Sequence, residues 1–259
     1  LQGNMYVSGI LYNNKGIVSN TFNLGDLNVS LYLSRQLGIY VGGLVNTNEG
    51  ENAQVRDSAN NGTIRAINLC GTANSYVYAG GIVCRNDTNT TNSSQNISFT
   101  INYGEIYAFN AKKNADNANN TIYTKAGGIL STGICNIVNT VNYGSIFSTE
   151  TAGGMIGNID LSSFNNDEVI IANTLNYGTV KAINRYLTVN GTAVYALYSD
   201  IKDIESNSKY ISYGIVAQPF YQYCGALIGI INYANKYLKK MHFLSQDVGV
   251  VNSKFTIFL

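Results

Sequence analysis

The chain has 259 residues, of which 45% are hydrophobic and only 12% are charged, and its formal net charge is +1. A disordered chain needs low hydrophobicity and high charge, so this composition argues for a packed protein. The near-zero charge and the lack of a basic patch predict no nucleic-acid partner. No apolar run reaches the ~18 residues that span a bilayer, so we expect no membrane span. The first residue is Leu1 rather than Met, which is typical of a mature chain or an excised fragment.

Two short sequence patterns alternate along the chain. The first is a small residue followed by Gly-Gly and two aliphatic residues, with relaxed copies beginning near Val7 and Cys224. The second is aliphatic-Asn-Tyr-Gly, again with relaxed copies. Units differ in length because polar insertions separate the patterns, which is typical of a solenoid with loops on its rim. The second glycine of the first pattern and the asparagine of the second define the structural repeat: Gly43, Gly81, Gly128 and Gly154, with Asn102, Asn142 and Asn176.

These patterns predict an all-β fold. Their β-branched residues alternate or occur in brief pairs, and helical spacing is not sustained. The shortest unit, Gly128 to Gly154, fits one turn of three strands and three corners. We therefore expect a right-handed, single-stranded parallel β-helix (solenoid) of about six coils sharing one aliphatic interior, with the repeated glycines aligned along one axis.

The Asn-Tyr-Gly pattern predicts two axial rows at one corner. Stacked asparagine amides would hydrogen-bond from coil to coil, as in other stacked sheets. The following tyrosines would form a parallel aromatic row, Tyr103, Tyr143 and Tyr177. An inward-facing core stack is the favoured placement, and an exposed row would instead offer a contact surface for carbohydrate or protein.

The domain organisation follows from where the patterns stop. Residues 1–230 are expected to form the β-helix, with a long rim insertion at 185–209 in which Ser199–Glu205 could form a short helix. Residues 231–259 would be a capping segment or the start of a further coil, and Asn235–Phe243 has near-helical spacing. The run Phe255–Leu259 predicts a strand, and ending on it suggests that the chain continues or docks on a neighbour.

Few residues indicate catalysis, so we expect that the protein is not an enzyme and that it binds no metal or cofactor. The four cysteines, Cys70, Cys84, Cys135 and Cys224, form no CxxC pair, and free buried thiols are favoured over a Cys70–Cys84 disulfide. His242 is the single histidine. The local acidic clusters, Asp200 with Asp203 and Glu205, and Asp167 with Glu168, predict solvated loops, although a β-helical polysaccharide lyase or glycoside hydrolase remains the alternative.

The segment from Val7 to Val45, with its Ser-Gly-Ile-Leu start and Gly42-Gly43-Leu44-Val45 end, resembles the GLUG repeat of bacterial secreted and surface proteins. The resemblance covers residues 5 to 230, although Asn-Tyr-Gly replaces the usual Ser-Tyr-x-x-Gly of that repeat. It implies a β-helical shaft of an extracellular or cell-surface, adhesin-like protein. It brings no catalytic residues. The implied partners are a protein or glycan ligand on a cell surface, or a second copy meeting through the coil ends.

Overall fold

The computed structural model describes residues 3–31, 38–71, 75–87, 95–112, 122–160, 168–183, 186–189, 192–195, 211–212, 223–225, 228–232, 240–245 and 253–257. Every regular element in these ranges is a strand. The first two turns of the chain comprise β1 (Met5–Ser8), β2 (Leu11–Asn14), β3 (Ile17–Ser19), β4 (Phe22–Asn23), β5 (Leu27–Leu31), β6 (Gly38–Gly42), β7 (Val45–Glu49), β8 (Gln54–Asn60) and β9 (Ile64–Gly71).

The next three turns repeat the same order of strands. They comprise β10 (Ser75–Gly80), β11 (Val83–Asp87), β12 (Asn96–Asn102), β13 (Ile106–Lys112), β14 (Ile122–Gly127), β15 (Leu130–Gly133), β16 (Asn136–Asn142), β17 (Ile146–Ser148), β18 (Thr151–Gly153), β19 (Ile156–Asp160), β20 (Glu168–Asn176) and β21 (Val180–Ile183). The remaining strands are β22 (Tyr186–Val189), β23 (Thr192–Tyr195), β24 (Ile211–Ser212), β25 (Tyr223–Gly225), β26 (Ile228–Asn232), β27 (Lys240–Ser245) and β28 (Ser253–Ile257).

Equivalent strands of successive turns stack into four sheets, which we name A to D and in which the strands are parallel except for the antiparallel pairs β21–β24 and β27–β28. Sheet A has the order β1-β6-β10-β14-β18-β25, sheet B β2-β7-β11-β15-β19-β26, sheet C β3-β8-β12-β16-β20-β27-β28, and sheet D β5-β9-β13-β17-β21-β24. The predicted all-β parallel solenoid is therefore confirmed. Each turn has four strands rather than the expected three. The Gly-Gly pattern makes a corner between sheets A and B, and the Asn-Tyr-Gly pattern makes another between sheets C and D.

The coil count is slightly lower than the predicted six. About four turns are flanked on both sides by neighbouring turns, with the first turn of the chain at one end and the strands that follow β21 at the other. Past residue 230, β26 and β27 continue sheets B and C in parallel. The last strand, β28, then pairs antiparallel with β27.

The expected helix over Asn235–Phe243 is wrong where the chain is described, because Lys240–Ser245 is strand β27. Its backbone pairs with β20, with Phe243 opposite Ile171, and the open edge of a sheet supplies hydrogen bonds that outweigh a weak helical spacing. The expected C-terminal strand is confirmed over Phe255–Ile257. The 185–209 insertion contains the antiparallel hairpin β22–β23, and the expected helix at Ser199–Glu205 lies outside the described residues.

The interior is divided into two apolar cores rather than one. Sheets A and D enclose the first, with Ile39, Val77 and Ile106 among its fully buried members. Sheets B and C enclose the second, with Val83 and Ile97. The interior is split because the two recurring patterns meet between the cores.

At this waist between the two cores, the Gly-Gly pattern of one strand lies against the asparagine of the Asn-Tyr-Gly pattern. The contact explains why the second residue of the Gly-Gly pair must be glycine. A Cβ on Gly81 would lie 2.6 Å from Cγ of Asn102, and one on Gly128 would lie 2.5 Å from Cγ of Asn142. No real Cβ approaches so closely, so only glycine fits. The glycines are also stacked, because Gly43 N donates to Gly80 O, Gly81 N to Gly127 O and Gly128 N to Gly153 O, and Gly154 O lies over Gly128.

Candidate binding surface

A ladder of inward-facing asparagine side chains, which we name the asparagine ladder and which are buried except for the half-buried last member, fixes the corner between sheets C and D. Each Nδ2 except that of the last member, Asn176, donates to Oδ1 of the asparagine in the next turn at 2.7–2.8 Å, and every Nδ2 also donates to the carbonyl of the glycine two residues later. The ladder members, all joined in this way, are Asn23, Asn60, Asn102, Asn142 and Asn176. The corner therefore repeats with a constant rise from turn to turn.

The tyrosines that follow the ladder form an exposed, stacked row, which we name the tyrosine row. The ring centroids of Tyr103 and Tyr143 are 5.1 Å apart with planes 4° from parallel, and Tyr143 and Tyr177 are 5.1 Å apart at 9°. Their relative exposures are 50%, 47% and 59%. The favoured inward placement is therefore wrong, because strand alternation points the asparagine inward and its neighbour outward.

Stacking determines which part of each ring faces solvent. Because the central ring, Tyr143, has a neighbour against both faces, its exposed half consists of ring edge and hydroxyl. Parallel offset stacking of this kind adds about 0.5–1.5 kcal/mol per pair beyond area burial. The row thus offers phenolic hydroxyls, each a donor and an acceptor, at a regular spacing along the solenoid axis.

The outer face of sheet C beside the row is apolar and uncharged. Two residues before each tyrosine stands a partly exposed aliphatic residue, which together form the aliphatic column: Ile101, Val141 and Leu175. Residues 96–103, 136–143 and 170–177 contain no charged side chain. The tyrosine row and the aliphatic column together define the surface that we name the C face.

A column of left-handed residues recurs at one level of sheet C in the first five turns. The column is Asn20, Asp57, Phe99, Asn139 and Asn173, with φ between 51° and 55°. Asparagine and aspartate tolerate this conformation, whereas a bulky residue is strained in it. Phe99 is therefore the exception, and its ring is exposed.

A second aromatic surface lies on the outside of sheet A, and sequence reasoning missed it. Tyr6, Tyr40, Tyr78 and Lys125 are register partners in successive strands. Tyr6 stacks on Tyr40 at 4.9 Å, Tyr78 meets Tyr40 edge-on at 5.2 Å, and Lys125 Nζ lies 4.8 Å from the Tyr78 ring. The sequence contains a signal for this surface. Each of the four residues lies two positions before the first glycine of the Gly-Gly pattern, or before the residue that takes its place in the relaxed first copy.

Burial shapes the chemistry of this second surface. Desolvation raises the pKa of Tyr40 to about 12, although the nearby Arg85 guanidinium opposes the rise. Burial also raises the pKa of Tyr78. For Arg85, burial alone would lower the pKa, but the bidentate contact with Asp87 raises it. Tyr40 is almost covered, so this surface works mainly as packing.

A shorter asparagine ladder fixes the corner between sheets B and C and was also missed. Asn14 Nδ2 donates to Asn48 Oδ1 at 2.8 Å, and Asn48 Nδ2 donates to Asn86 Oδ1 at 2.9 Å. Each of these asparagines lies at the same distance in sequence after its glycine pair. In the following turn that position is occupied by Gly133. Asn86 instead donates to Gln95 Oε1 and Ile134 O, so the ladder ends there.

The candidate reactive residues of the sequence are described only in part. Cys84 and Cys135 are free and buried, so the Cys70–Cys84 disulfide is wrong; burial raises the pKa of both thiols. The side chains of Cys70 and Cys224 lie outside the described set. In β27, His242 pairs with Ile170. Asp200, Asp203, Glu205 and Asp167 lie outside the described residues, and only the backbone of Glu168, the first residue of β20, is described.

Described carboxylates are engaged one by one. Six of them have a cation or donor of their own: Asp26 with Arg65, Glu49 with Lys15, Asp57 with Arg56, Asp87 with Arg85, Glu105 with the Tyr107 hydroxyl, and Glu150 with the Thr124 amide. Within the described ranges, no three His, Cys, Asp or Glu side chains lie close enough together to hold a metal ion.

Comparison with known proteins gives no relative. Neither a scan against family models nor searches of curated proteins and of solved structures found a match to this chain. Across the described part of the chain, no helix is long and apolar enough to cross a membrane.

Proposed function

We propose that this protein is a non-catalytic binding scaffold, secreted or held at a cell surface, whose contact surface is the C face. The observation that carries the proposal is the exposed tyrosine row, with rings 5.1 Å apart. Tyrosine supplies a large, rigid, amphipathic contact area, which is why it is enriched in interfaces. The resemblance to the GLUG repeat of bacterial surface proteins agrees with this role.

A rigid shaft suits this function. The asparagine ladder ties each tyrosine-bearing corner to the next by a buried hydrogen bond, so the row keeps its geometry before a ligand arrives. Pre-organised groups lose less conformational entropy on binding. The scaffold therefore contributes affinity by holding the contact residues still.

The alternative is a β-helical polysaccharide lyase or glycoside hydrolase. Glycoside hydrolysis generally needs two carboxyl groups flanking one bond. The described carboxylates instead meet separate cations or donors, as with Asp87 and Arg85 or Glu105 and Tyr107. This dispersal favours the binding scaffold.

Self-association through the coil ends remains a further partner mode of the same scaffold. The strands of the first turn, β1, β2, β3 and β5, lie at the ends of their sheets, and large apolar side chains there, including Ile17, Phe22 and Leu24, are exposed. Open edges of this kind template pairing with another strand.

The experiment compares two sets of tyrosine substitutions. The triple variant Tyr103→Ala, Tyr143→Ala and Tyr177→Ala removes the row, and the matched control Tyr12→Ala with Tyr123→Ala removes exposed tyrosines elsewhere. Labelled protein is then tested for retention on intact cells and on immobilised glycans. We expect the triple variant alone to lose retention. Equal retention by the triple variant, or turnover of any polysaccharide by the unmodified protein, would overturn the proposal.

A further inference from the structure

We propose that the C face binds an extended, uncharged, β-1,4-linked glycan chain that lies parallel to the solenoid axis, one sugar to each turn. This inference rests on the proposed function and names its ligand class. It follows from three properties of the C face: its period, its chemistry and its lack of charge.

The period selects a linear polymer. Each turn presents the same pair of groups, as with Val141 and Tyr143, and the tyrosine rings repeat every 5.1 Å. The backbone imposes this value, since parallel strands lie about 4.8 Å apart. A sugar in an extended β-1,4-linked chain advances by nearly the same length. Such a chain can therefore contact all three turns in register, whereas an α-1,4-linked chain coils and loses register.

The chemistry of the two columns matches the two surfaces of a pyranose ring. The aliphatic column offers partly exposed methyl and methylene groups, on which the C–H faces of the sugars can rest. The tyrosine row, two residues further along each turn and on the same side, offers a hydroxyl at each turn. Phenolic hydroxyls donate and accept, so they can pair with the equatorial hydroxyls along the edge of the chain. Ligand sites generally combine an apolar surface with a few placed polar groups in this way.

The charge of the surface excludes an acidic glycan. The strand segments that bear Tyr103, Tyr143 and Tyr177 contain no Lys or Arg to meet a carboxylate. The charged residue nearest in sequence to the row is Glu105, whose carboxylate accepts from the Tyr107 hydroxyl at 2.8 Å and would repel a polyanion. Lys181 lies further out on sheet D, with Nζ 5.6 Å from the Phe147 ring. Binding to an uncharged chain should also be independent of salt, because no ion pair is screened.

The test is calorimetric titration of the protein with cello-oligosaccharides and chito-oligosaccharides, from the monosaccharide to the hexasaccharide. Affinity should rise with each sugar until the three tyrosines are covered and then level off. Tyr143→Ala, which interrupts the row, should weaken binding of the longer oligomers by about tenfold, or about 1.4 kcal/mol. Tyr143→Phe should lose less, and Tyr123→Ala should lose nothing.

Three results would overturn the inference: affinity independent of chain length, equal binding of a malto-oligosaccharide or an oligogalacturonate, or unchanged binding by Tyr143→Ala. A concentration-dependent dimer that Tyr143→Ala abolishes would also overturn it, since the C face would then bind a second copy. If oligosaccharides fail to bind while the triple variant still loses retention on cells, this inference falls and the proposed function stands.

Discussion

Removing the centre of the asparagine ladder should destabilise the protein far more than one exposed polar substitution would. Asn142 is fully buried. Its Nδ2 donates to Asn176 Oδ1 at 2.7 Å and to Gly144 O at 2.8 Å, and its Oδ1 accepts from Asn102 Nδ2 at 2.7 Å. Asn142→Ala removes all three hydrogen bonds at once.

The magnitude follows from the groups left behind. Gly144 O and one N–H of Asn102 are buried and would lose their partner, and each unsatisfied buried group costs about 1–3 kcal/mol. The Asn176 carbonyl oxygen is only partly buried, so water can replace its bond. The expected loss is therefore about 3 kcal/mol, a large fraction of the roughly 5–15 kcal/mol that stabilises a domain.

The assay is urea unfolding followed by far-ultraviolet circular dichroism. Asn176→Ala provides the matched control, because that residue is half-buried and it receives only one ladder bond from a described turn, so about 1 kcal/mol is expected. If Asn142→Ala lost no more stability than Asn176→Ala, the ladder would not be a cooperative part of the core and the reasoning would be refuted.

Three further predictions concern single side chains. Phe99→Asn should raise stability by about 1 kcal/mol, because asparagine tolerates the left-handed conformation that strains Phe99; a lowered thermal midpoint would contradict this. Thr140→Val should also stabilise by about 1 kcal/mol in denaturant titration, since the buried Oγ1 has no hydrogen-bond partner among the described residues; a loss of stability would indicate a partner. The ordinary phenol pKa is 10.0 and that of Tyr40 is about 12, so the native state keeps a proton that the unfolded chain releases. The contribution of Tyr40 to stability should therefore be intact below pH 10 and be lost as the pH rises from 10 to 12, and Tyr40→Phe should show a shallower fall in unfolding midpoint over that window.

The sequence predicted the parallel solenoid well because stacked turns repeat their environment. Gly81, Gly128 and Asn102 recur at fixed places since each meets the same neighbour one turn away. Residues that meet such a constraint in every turn leave a readable pattern. The inward asparagine ladder was predictable for the same reason.

The sequence predicted the cross-section less well. Neither the fourth strand nor the division into two cores follows from a repeat length, because both depend on how sharply the chain turns at the glycine pair. The direction of Tyr103 was also misjudged. Aromatic residues are usually buried, and only the strict alternation after Asn102 places this one outside. The shorter ladder at Asn14 and Asn48 escaped because Gly133 interrupts it.

The asparagine ladder and the tyrosine row belong to one corner of the solenoid. A change in the ladder should therefore affect both stability and binding, whereas a change in the row should act mainly on binding. Asn142 lies inside and sets the rise between turns, whereas Tyr143 lies outside and inherits that rise. Tyr143→Ala should therefore weaken ligand binding at a cost in stability of about 1–3 kcal/mol from its two ring contacts, each worth about 0.5–1.5 kcal/mol. Asn142→Ala should weaken both, although Asn142 never touches the ligand, because the spacing of the row is no longer held. The proposed surface requires this asymmetry, since a ligand that reads the spacing of the rings must respond to the buried bonds that set it.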